Sequence, residues 1–226
     1  MTGGLTTDPA AALRAAYETA SAVVAELGDE ESWLPTGCTG WAVRDLALHC
    51  LEDARRGLVA LHTPCEEPAD RDAVTYWTDW RPDAPGAANG RRWARVSASM
   101  FLDFRQLRDL YTETVTAAGH AAACADPAAR VATQGHVLTA GDLMTTLAVE
   151  ATVHHLDMVV RLPSAPGPSA EGLAAVRATL DGLLGRPAPP WWSDSHYARV
   201  GTGRAALTDA DRGALGAAAH RFPLFG

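Results

Sequence analysis

The chain has 226 residues, of which 47% are hydrophobic, and its formal net charge is −8 at pH 7. This composition suits one sizeable globular domain, or one domain with a small appendage. The acidic balance argues against a nucleic-acid partner, which would require a basic face. No run of about 18 residues is apolar and free of charge, so the sequence predicts no membrane span.

The first eight residues lack the basic and apolar regions of a signal peptide, so we expect a cytoplasmic protein.

The four cysteines match no zinc-finger or Cys-x-x-Cys spacing; they are Cys38, Cys50, Cys65 and Cys124. In a reducing compartment, we expect them to be buried hydrophobes or free thiols.

Capping residues and apolar periodicity predict the first two helices. The first runs from Pro9 to about Leu27, because Asp8 suits the N-cap and proline suits the first helical position. The second follows Thr39-Gly40 and extends to about Leu61, with apolar residues at helical spacing.

Two further long helices are predicted after a proline-rich loop that spans Thr63 to Gly90. The third helix covers Arg91 to about Ala118, and Gly119 would end it. An irregular segment then leads to Thr139, which caps a fourth helix that reaches Leu162.

The remaining segment, residues 163–226, is predicted to be a small and mostly helical appendage. Ser169 caps a short helix that ends at Gly185, and Thr208 caps a last helix to about Ala219. Between them, the residues predicted to be irregular or strand-like are Trp191-Trp192 and Tyr197 to Val200.

These elements predict an all-α fold. Residues 1–162 would form a four-helix bundle, and residues 163–226 the appendage. Metal sites in such bundles are built from inward-facing side chains of neighbouring helices.

The fourth predicted helix carries the most informative residues of the chain. Glu150 and His154 are four residues apart, so both side chains leave the same face about one turn apart. A carboxylate and an imidazole are costly to bury on an apolar helix, and a divalent metal would satisfy both. His49 on the second helix is the best candidate for a third ligand. Two histidines and one carboxylate, with an open position, are typical of catalytic zinc sites.

Other interpretations of this cluster stay open. His155 is an alternative ligand to His154, although it diverges from Glu150 on a helix. Asp157 shares their face, either as a ligand or as a group that orients a histidine, and we favour the second role. The same ligand set also serves non-haem iron enzymes. A further possibility is that Glu150 pairs with an arginine and the histidines are satisfied core residues.

Several other charged residues are candidates for roles at a site. Asp45 and Asp53 lie one turn on either side of His49 and would be able to orient it. The segment Gly201 to Arg204 lacks the context of a phosphate loop, so we predict a turn, with Arg204 as an anion contact. The arginines flanking the long loop would be able to meet an acidic substrate; they are Arg81, Arg91 and Arg92.

The segment from Cys38 to His49, CTGWAVRDLALH, resembles the second-helix motif of DinB-like metalloenzymes. More narrowly, it resembles the mycothiol-dependent maleylpyruvate isomerase family of actinobacteria. Glu150-x-x-x-His154-His-x-Asp157 resembles the fourth-helix metal motif of that family, and residues 201–226 resemble its tail.

The resemblance implies an up-down-down-up helical bundle and a zinc ion held by His49, Glu150 and His154. It also implies mycothiol as a cosubstrate. The named isomerase has a larger α/β C-terminal domain, whereas this tail is short and largely helical. The resemblance therefore supports the metal and the thiol more strongly than it supports the substrate.

The sequence thus predicts a zinc-dependent enzyme that activates mycothiol. The reaction would be S-transfer to a small electrophile, or thiol-assisted cis–trans isomerisation of one such as maleylpyruvate, with Arg81 and Arg204 as candidate catalytic arginines. The expected partners are the thiol and the electrophile, and the protein would be a monomer or homodimer. The alternatives are a zinc hydrolase that activates water and a non-catalytic, metal-stapled bundle that binds a small molecule.

Overall fold

The structure is a computed structural model that describes residues 8–80 and 87–226. Its helices are α1 Pro9–Glu26, α2 Asp29–Ser32, α3 Val43–Leu61, α4 Ala87–Ala98, α5 Phe104–Cys124, α6 Ala140–Met158, α7 Ala170–Leu184, α8 Asp194–Gly201 and α9 Asp209–Leu215. Two short strands, β1 Arg130–Thr133 and β2 His136–Thr139, form an antiparallel hairpin. Turns of 3₁₀-helix cover Thr75–Asp79, Val159–Arg161 and Gly216–Arg221.

Four long helices build the DinB-like bundle, which confirms the predicted all-α fold. Helix α1 packs against α5 and α6, and α3 packs against the same two helices. Helices α1 and α3 therefore occupy opposite corners. The interior is filled by leucines that are fully buried, including Leu13, Leu46, Leu51, Leu107 and Leu147.

Helix α6 lies between two hydrophobic cores, which explains why nearly all of its residues are buried. One side faces the bundle through Leu143 and Leu147. The other side, with Val153 and Leu156, packs against α7 and α8 in a second core around Tyr197. Polar groups on this helix consequently have little access to bulk water.

The caps that the sequence predicted for these helices are present. The Asp8 carboxylate accepts a hydrogen bond from the Ala10 N–H at 3.1 Å, and the Thr139 hydroxyl accepts one from the Asp142 N–H at 3.0 Å. A further cap, which the sequence analysis did not predict, lies at the start of α3, where the Asp45 carboxylate accepts a hydrogen bond from the Ala42 N–H at 2.9 Å. Each bond satisfies a backbone donor that the first turn leaves free.

The prediction of one continuous third helix from Arg91 to Ala118 is wrong. Helix α4 ends at Ala98, and α5 begins after Asp103, whose carboxylate accepts a hydrogen bond from the Arg105 N–H at 2.8 Å. Two apolar residues before this cap are exposed rather than packed: Met100 is 77% exposed and Leu102 is 92% exposed. Gly119 does not end the helix, because α5 continues to Cys124.

The segment predicted to be irregular before Thr139 contains the β1–β2 hairpin. The hairpin also anchors part of the long loop: the Cys65 N–H donates to the Arg130 carbonyl at 2.9 Å, and the Asp70 N–H donates to the Val137 carbonyl at 3.0 Å. Within the loop, the 3₁₀ turn Thr75–Asp79 buries Tyr76.

In the C-terminal segment, Ser169 and Thr208 cap α7 and α9 as predicted. Tyr197 to Val200 are helical within α8, so the strand-like interpretation of these four residues is wrong. Their burial against α7 stabilises a short helix that local propensity alone would not secure. The predicted division into a bundle of residues 1–162 and an appendage of residues 163–226 stays a prediction.

Across the described residues, no helix combines the length and the apolarity that a membrane crossing requires.

Gly57 allows α3 to approach α6 closely. An added Cβ would lie 2.5 Å from Leu147 Cδ1, which is itself buried. We expect Gly57→Ala to lower the free energy of unfolding by about 1–2 kcal/mol, because overpacking outweighs the better helix propensity of alanine. Urea unfolding followed by circular dichroism measures this change.

Gly119→Ala is the matched control, since Gly119 also lies within a long helix but has nothing within 4 Å of its added Cβ. This variant should be more stable than the wild type by up to about 1 kcal/mol. Equal effects of the two substitutions would show that the close α3–α6 contact carries no energetic cost.

Candidate functional site

Packing of α3 against α6 brings together the three residues predicted to bind a metal. The Nε2 atoms of His49 and His154 are 3.1 Å apart. Glu150 Oε1 lies 3.3 Å from His49 Nε2 and 3.4 Å from His154 Nε2. Three candidate ligand atoms from two helices therefore form a nearly equilateral triangle.

This triangle has the dimensions of a tetrahedral zinc site. With metal–ligand bonds of about 2.0–2.1 Å, neighbouring ligand atoms of a tetrahedron are separated by roughly 3.3–3.4 Å. The donor set of two imidazole nitrogens and one carboxylate oxygen suits zinc and also suits iron or nickel. The residues present thus fit a divalent ion with a coordination position left open toward solvent.

Asp157 lies behind His154 and orients its ring. Asp157 Oδ2 is 3.1 Å from His154 Nδ1, so the carboxylate accepts a hydrogen bond from Nδ1–H and leaves Nε2, which faces the triangle, available to a metal ion. Asp157 is only 2% exposed, and its backbone carbonyl accepts a hydrogen bond from the Gly37 N–H at 2.9 Å. The favoured role of Asp157, orientation rather than ligation, agrees with this geometry.

Arg204 holds Asp157 in place from the C-terminal segment. Its Nη2 lies 2.8 Å from Asp157 Oδ2, and its Nε lies 3.0 Å from Oδ1. The Arg204 Nη1 also donates to the Thr202 carbonyl at 3.0 Å. The guanidinium thus positions a neighbour. Arg204 also lines the cavity that contains the triangle, so its role as a catalytic arginine stays a prediction.

Burial and pairing shift the pKa values of these groups in opposite directions. Burial would raise the pKa of Glu150, but hydrogen bonds from His154 and His49 hold it well below its usual value. Burial would lower the pKa of His154, but its bonds to Asp157, Cys38 and Glu150 raise it well above its usual value. Burial likewise opposes ionisation of Asp157, yet His154 and Arg204 lower its pKa to about 2.

His49, which contacts the Glu150 carboxylate in the triangle, also packs against an aromatic neighbour. The Trp41 and His49 ring centroids are 5.1 Å apart, and the Trp41 indole N–H donates to the Arg91 carbonyl at 3.2 Å. Asp45 and Asp53, the sequence candidates for orienting His49, are engaged elsewhere. Asp45 caps α3, and Asp53 accepts a hydrogen bond from Arg56 at 3.0 Å.

The other sequence candidates fall outside the triangle. His155 Nε2 lies 3.0 Å from the Pro166 carbonyl oxygen, so this ring is directed away from Glu150. Arg81 lies outside the residues that the structure describes. Arg91 lines the cavity that contains the triangle, whereas Arg92 lines a neighbouring groove on the far side of Trp41.

A cavity of about 660 Å³ opens onto the three candidate ligands. This is within the usual range for small-molecule sites and has room for two reactants of modest size. Its walls are largely aromatic, with contributions from Trp41, Tyr76, Trp77, Trp80, Trp93 and Phe225. Such walls reduce the access of water to the three candidate ligands.

Sequence reasoning missed two contributors to this cavity. Cys38 is a free thiol, as predicted, but its position beside the site was not: its Sγ lies 3.2 Å from Asp157 Oδ2 and 3.7 Å from His154 Nδ1. Its place in the motif that ends at His49 was the available signal. Phe225 reaches the cavity wall through contact with Trp77, with ring centroids 4.3 Å apart, and no linear pattern indicates that contact.

Cys38, His154 and Asp157 form a second group able to hold a metal. We regard this group as the weaker candidate, because Asp157 is already neutralised by Arg204 through two oxygen atoms. The second group also shares His154 with the triangle of His49, Glu150 and His154, so the two groups are not independent metal sites.

The chain belongs to the family described as mycothiol maleylpyruvate isomerase N-terminal domain, whose model matches residues 13–159. This range includes His49, Glu150, His154 and Asp157, but it ends before Arg204. No curated protein matches the chain, and neither does any solved structure.

The lowered pKa of Asp157 predicts an acid-sensitive contribution to the stability of the metal-free protein. Because this pKa falls from 3.8 to about 2 on folding, the ionised group stabilises the fold by roughly 2 kcal/mol above pH 4. This contribution is lost as the pH falls from about 4 to about 2. Between pH 6 and pH 3, wild-type protein should therefore lose about 1 kcal/mol more than Asp157→Asn. Urea titrations in the presence of a chelator measure both slopes, and identical slopes would contradict the assignment.

Proposed function

We propose that this protein is a zinc-dependent enzyme that activates a low-molecular-weight thiol, mycothiol, toward a small electrophile. The reaction is S-transfer or thiol-assisted cis–trans isomerisation of a compound such as maleylpyruvate. The observation that carries this proposal is the convergence of His49, Glu150 and His154 on one point of a two-reactant cavity. Membership of a family described by mycothiol and maleylpyruvate isomerase supports the choice of thiol.

A bound zinc ion would supply a positive charge that favours the thiolate form of the thiol at neutral pH. The protein residues have the task of presenting and protecting that centre. Asp157 keeps the proton of His154 on Nδ1, and Arg204 keeps Asp157 in place and compensates its charge. Trp41 limits the rotation of His49 and forms part of the wall that excludes water.

In the isomerisation, the thiolate sulfur adds to one carbon of the conjugated double bond. The π electrons move onto the neighbouring carbonyl, and the former double bond becomes a single bond that rotates. When the electrons return, the carbon–sulfur bond breaks and the trans double bond forms, so the thiol is regenerated. In S-transfer the carbon–sulfur bond is retained and a leaving group departs. Both outcomes rely on positioning two reactants in one cavity.

Substitution of a candidate ligand should remove the metal without unfolding the bundle. We expect about one zinc per chain in wild-type protein purified without chelator, and much less than half of that in Glu150→Ala and His154→Ala. Elemental analysis by mass spectrometry measures the content, and far-UV circular dichroism checks the helices.

His155→Ala is the matched control, because His155 is the adjacent histidine on α6 but bonds to Pro166 instead. This variant should keep its metal. If it alone lost the metal, or if Glu150→Ala kept a full complement, the ligand assignment would be wrong.

Turnover should depend on added thiol. With zinc-loaded protein and maleylpyruvate, we expect isomerisation to rise with mycothiol concentration and to fall by at least about 100-fold in His154→Ala, because the nucleophile is no longer activated. Formation of the trans isomer is followed by its ultraviolet absorbance.

Each other outcome of the turnover experiment favours a different function. Hydrolysis of electrophilic esters or amides without thiol would favour a zinc hydrolase. Loss of thermal stability on zinc removal, combined with no turnover across a panel of electrophiles and thiols, would favour a metal-stapled binding protein.

A further inference from the structure

The cavity extends well beyond the three candidate metal ligands along α3. His49, Asp53 and Arg56 are spaced at i, i+4 and i+7, so they share one face of this helix, and all three line the cavity. With a rise of 1.5 Å per residue, Arg56 lies about 10 Å further along the helix axis than His49. A molecule bound at the triangle therefore has a defined second contact region about 10 Å away.

Gln134 lies in the turn of the β1–β2 hairpin and contributes another part of the wall of this region. Its φ is +49° and that of Gly135 is +84°, so both turn residues occupy the left-handed region. Asparagine or aspartate is preferred before glycine in such a turn, and glutamine adopts this left-handed backbone conformation less favourably. Apart from glycines, Gln134 is the one residue with positive φ among those described. Its side chain lines the cavity and accepts a hydrogen bond from the Tyr76 hydroxyl.

Asp53 and Arg56 give this region no net charge. The Asp53 Oδ1 accepts from Arg56 Nη2 at 3.0 Å and from Nε at 3.2 Å, while Arg56 Nη1 donates to the Thr133 hydroxyl at 3.3 Å. Within the described residues, the buried Asp53 Oδ2 has no hydrogen-bond partner. That oxygen is shielded from solvent, so the Asp53–Arg56 pair presents its other polar atoms to the cavity that both residues line.

We infer that Asp53, Arg56, Gln134 and Tyr76 form a neutral polar subsite for the part of the thiol that lies far from its sulfur. This inference rests on the proposed function and specifies the class of thiol. The ligand would carry uncharged hydroxyl or amide groups about 10 Å from the sulfur atom.

The composition of the subsite favours uncharged polar groups. The adjacent charges of Asp53 and Arg56 offset each other, so the pair provides no net electrostatic attraction for an anionic or a cationic group. An apolar group would strip water from these side chains without replacing its hydrogen bonds. A hydroxyl or amide group both donates and accepts, so it matches the amide of Gln134 and the hydroxyl of Tyr76.

Binding measurements on zinc-loaded protein test this subsite without requiring turnover. The probes are mycothiol, which has a hydroxyl-rich tail, and N-acetylcysteamine, a short neutral thiol without hydroxyl groups. By isothermal titration calorimetry, wild-type protein should bind mycothiol at least about tenfold more tightly than N-acetylcysteamine, because only mycothiol reaches the subsite.

Gln134→Asn is the informative variant, because asparagine suits the turn at least as well but its side chain is shorter. We expect a loss of about fivefold in mycothiol affinity and less than a twofold change for N-acetylcysteamine. Gln106→Asn, on the exposed surface of α5, is the matched control and should change neither affinity. Asp53→Asn should weaken mycothiol binding similarly, provided that circular dichroism shows it folded.

The outcomes separate the subsite from the proposed function. Equal affinity of wild-type protein for both thiols, or an equal loss for both thiols in Gln134→Asn, would overturn the subsite even if thiol-dependent turnover were present. Selective loss of mycothiol affinity without turnover of any electrophile would support the subsite and contradict the enzyme.

Discussion

Glu150 and His154 project from a helix that is buried on nearly every side, and the free energy required to place them there constrains the rest of the site. A carboxylate and an imidazole in this environment need partners, because the surrounding side chains are apolar. The structure provides those partners from several elements: His49 from α3, Asp157 from the next turn of α6, and Cys38 from the loop before α3. The cluster is therefore the point at which the bundle, a loop and the C-terminal segment meet.

The contact between Asp157 and Arg204 links two regions that are far apart in sequence. Arg204 follows α8, which packs against α7, and α7 packs in turn against α6. The second hydrophobic core thus supports the helix that carries two of the candidate ligands. A change in the packing of the C-terminal segment would be transmitted to His154 through Arg204 and Asp157, because the half-buried arginine and the buried carboxylate are hydrogen-bonded to each other.

Apolar and polar side chains line different parts of the cavity. Aromatic side chains surround the triangle and reduce access of water, which strengthens electrostatic interactions with any bound ion or thiolate. Polar groups are concentrated further along α3 and on the hairpin turn, where they would bind an uncharged tail. The hairpin and the 63–80 loop are joined by backbone hydrogen bonds, so these two walls form a common support.

Local patterns in the sequence predicted three of the four long helices, the caps of two of them and the three candidate ligands, because helical spacing and capping depend on residues within one or two turns. They also pointed to Asp157 as an orienting group, since it lies three positions after His154 on the same helix face. The break between α4 and α5 could not be predicted in this way. Its apolar residues continue the helical spacing, and only tertiary burial distinguishes the exposed Met100 from the buried Phe104. Tertiary structure alone decided that Arg204 pairs with Asp157, that His155 is directed toward Pro166, and that Gln134 faces the cavity. These contacts join residues on separate elements, and their energies depend on distances that no local pattern encodes.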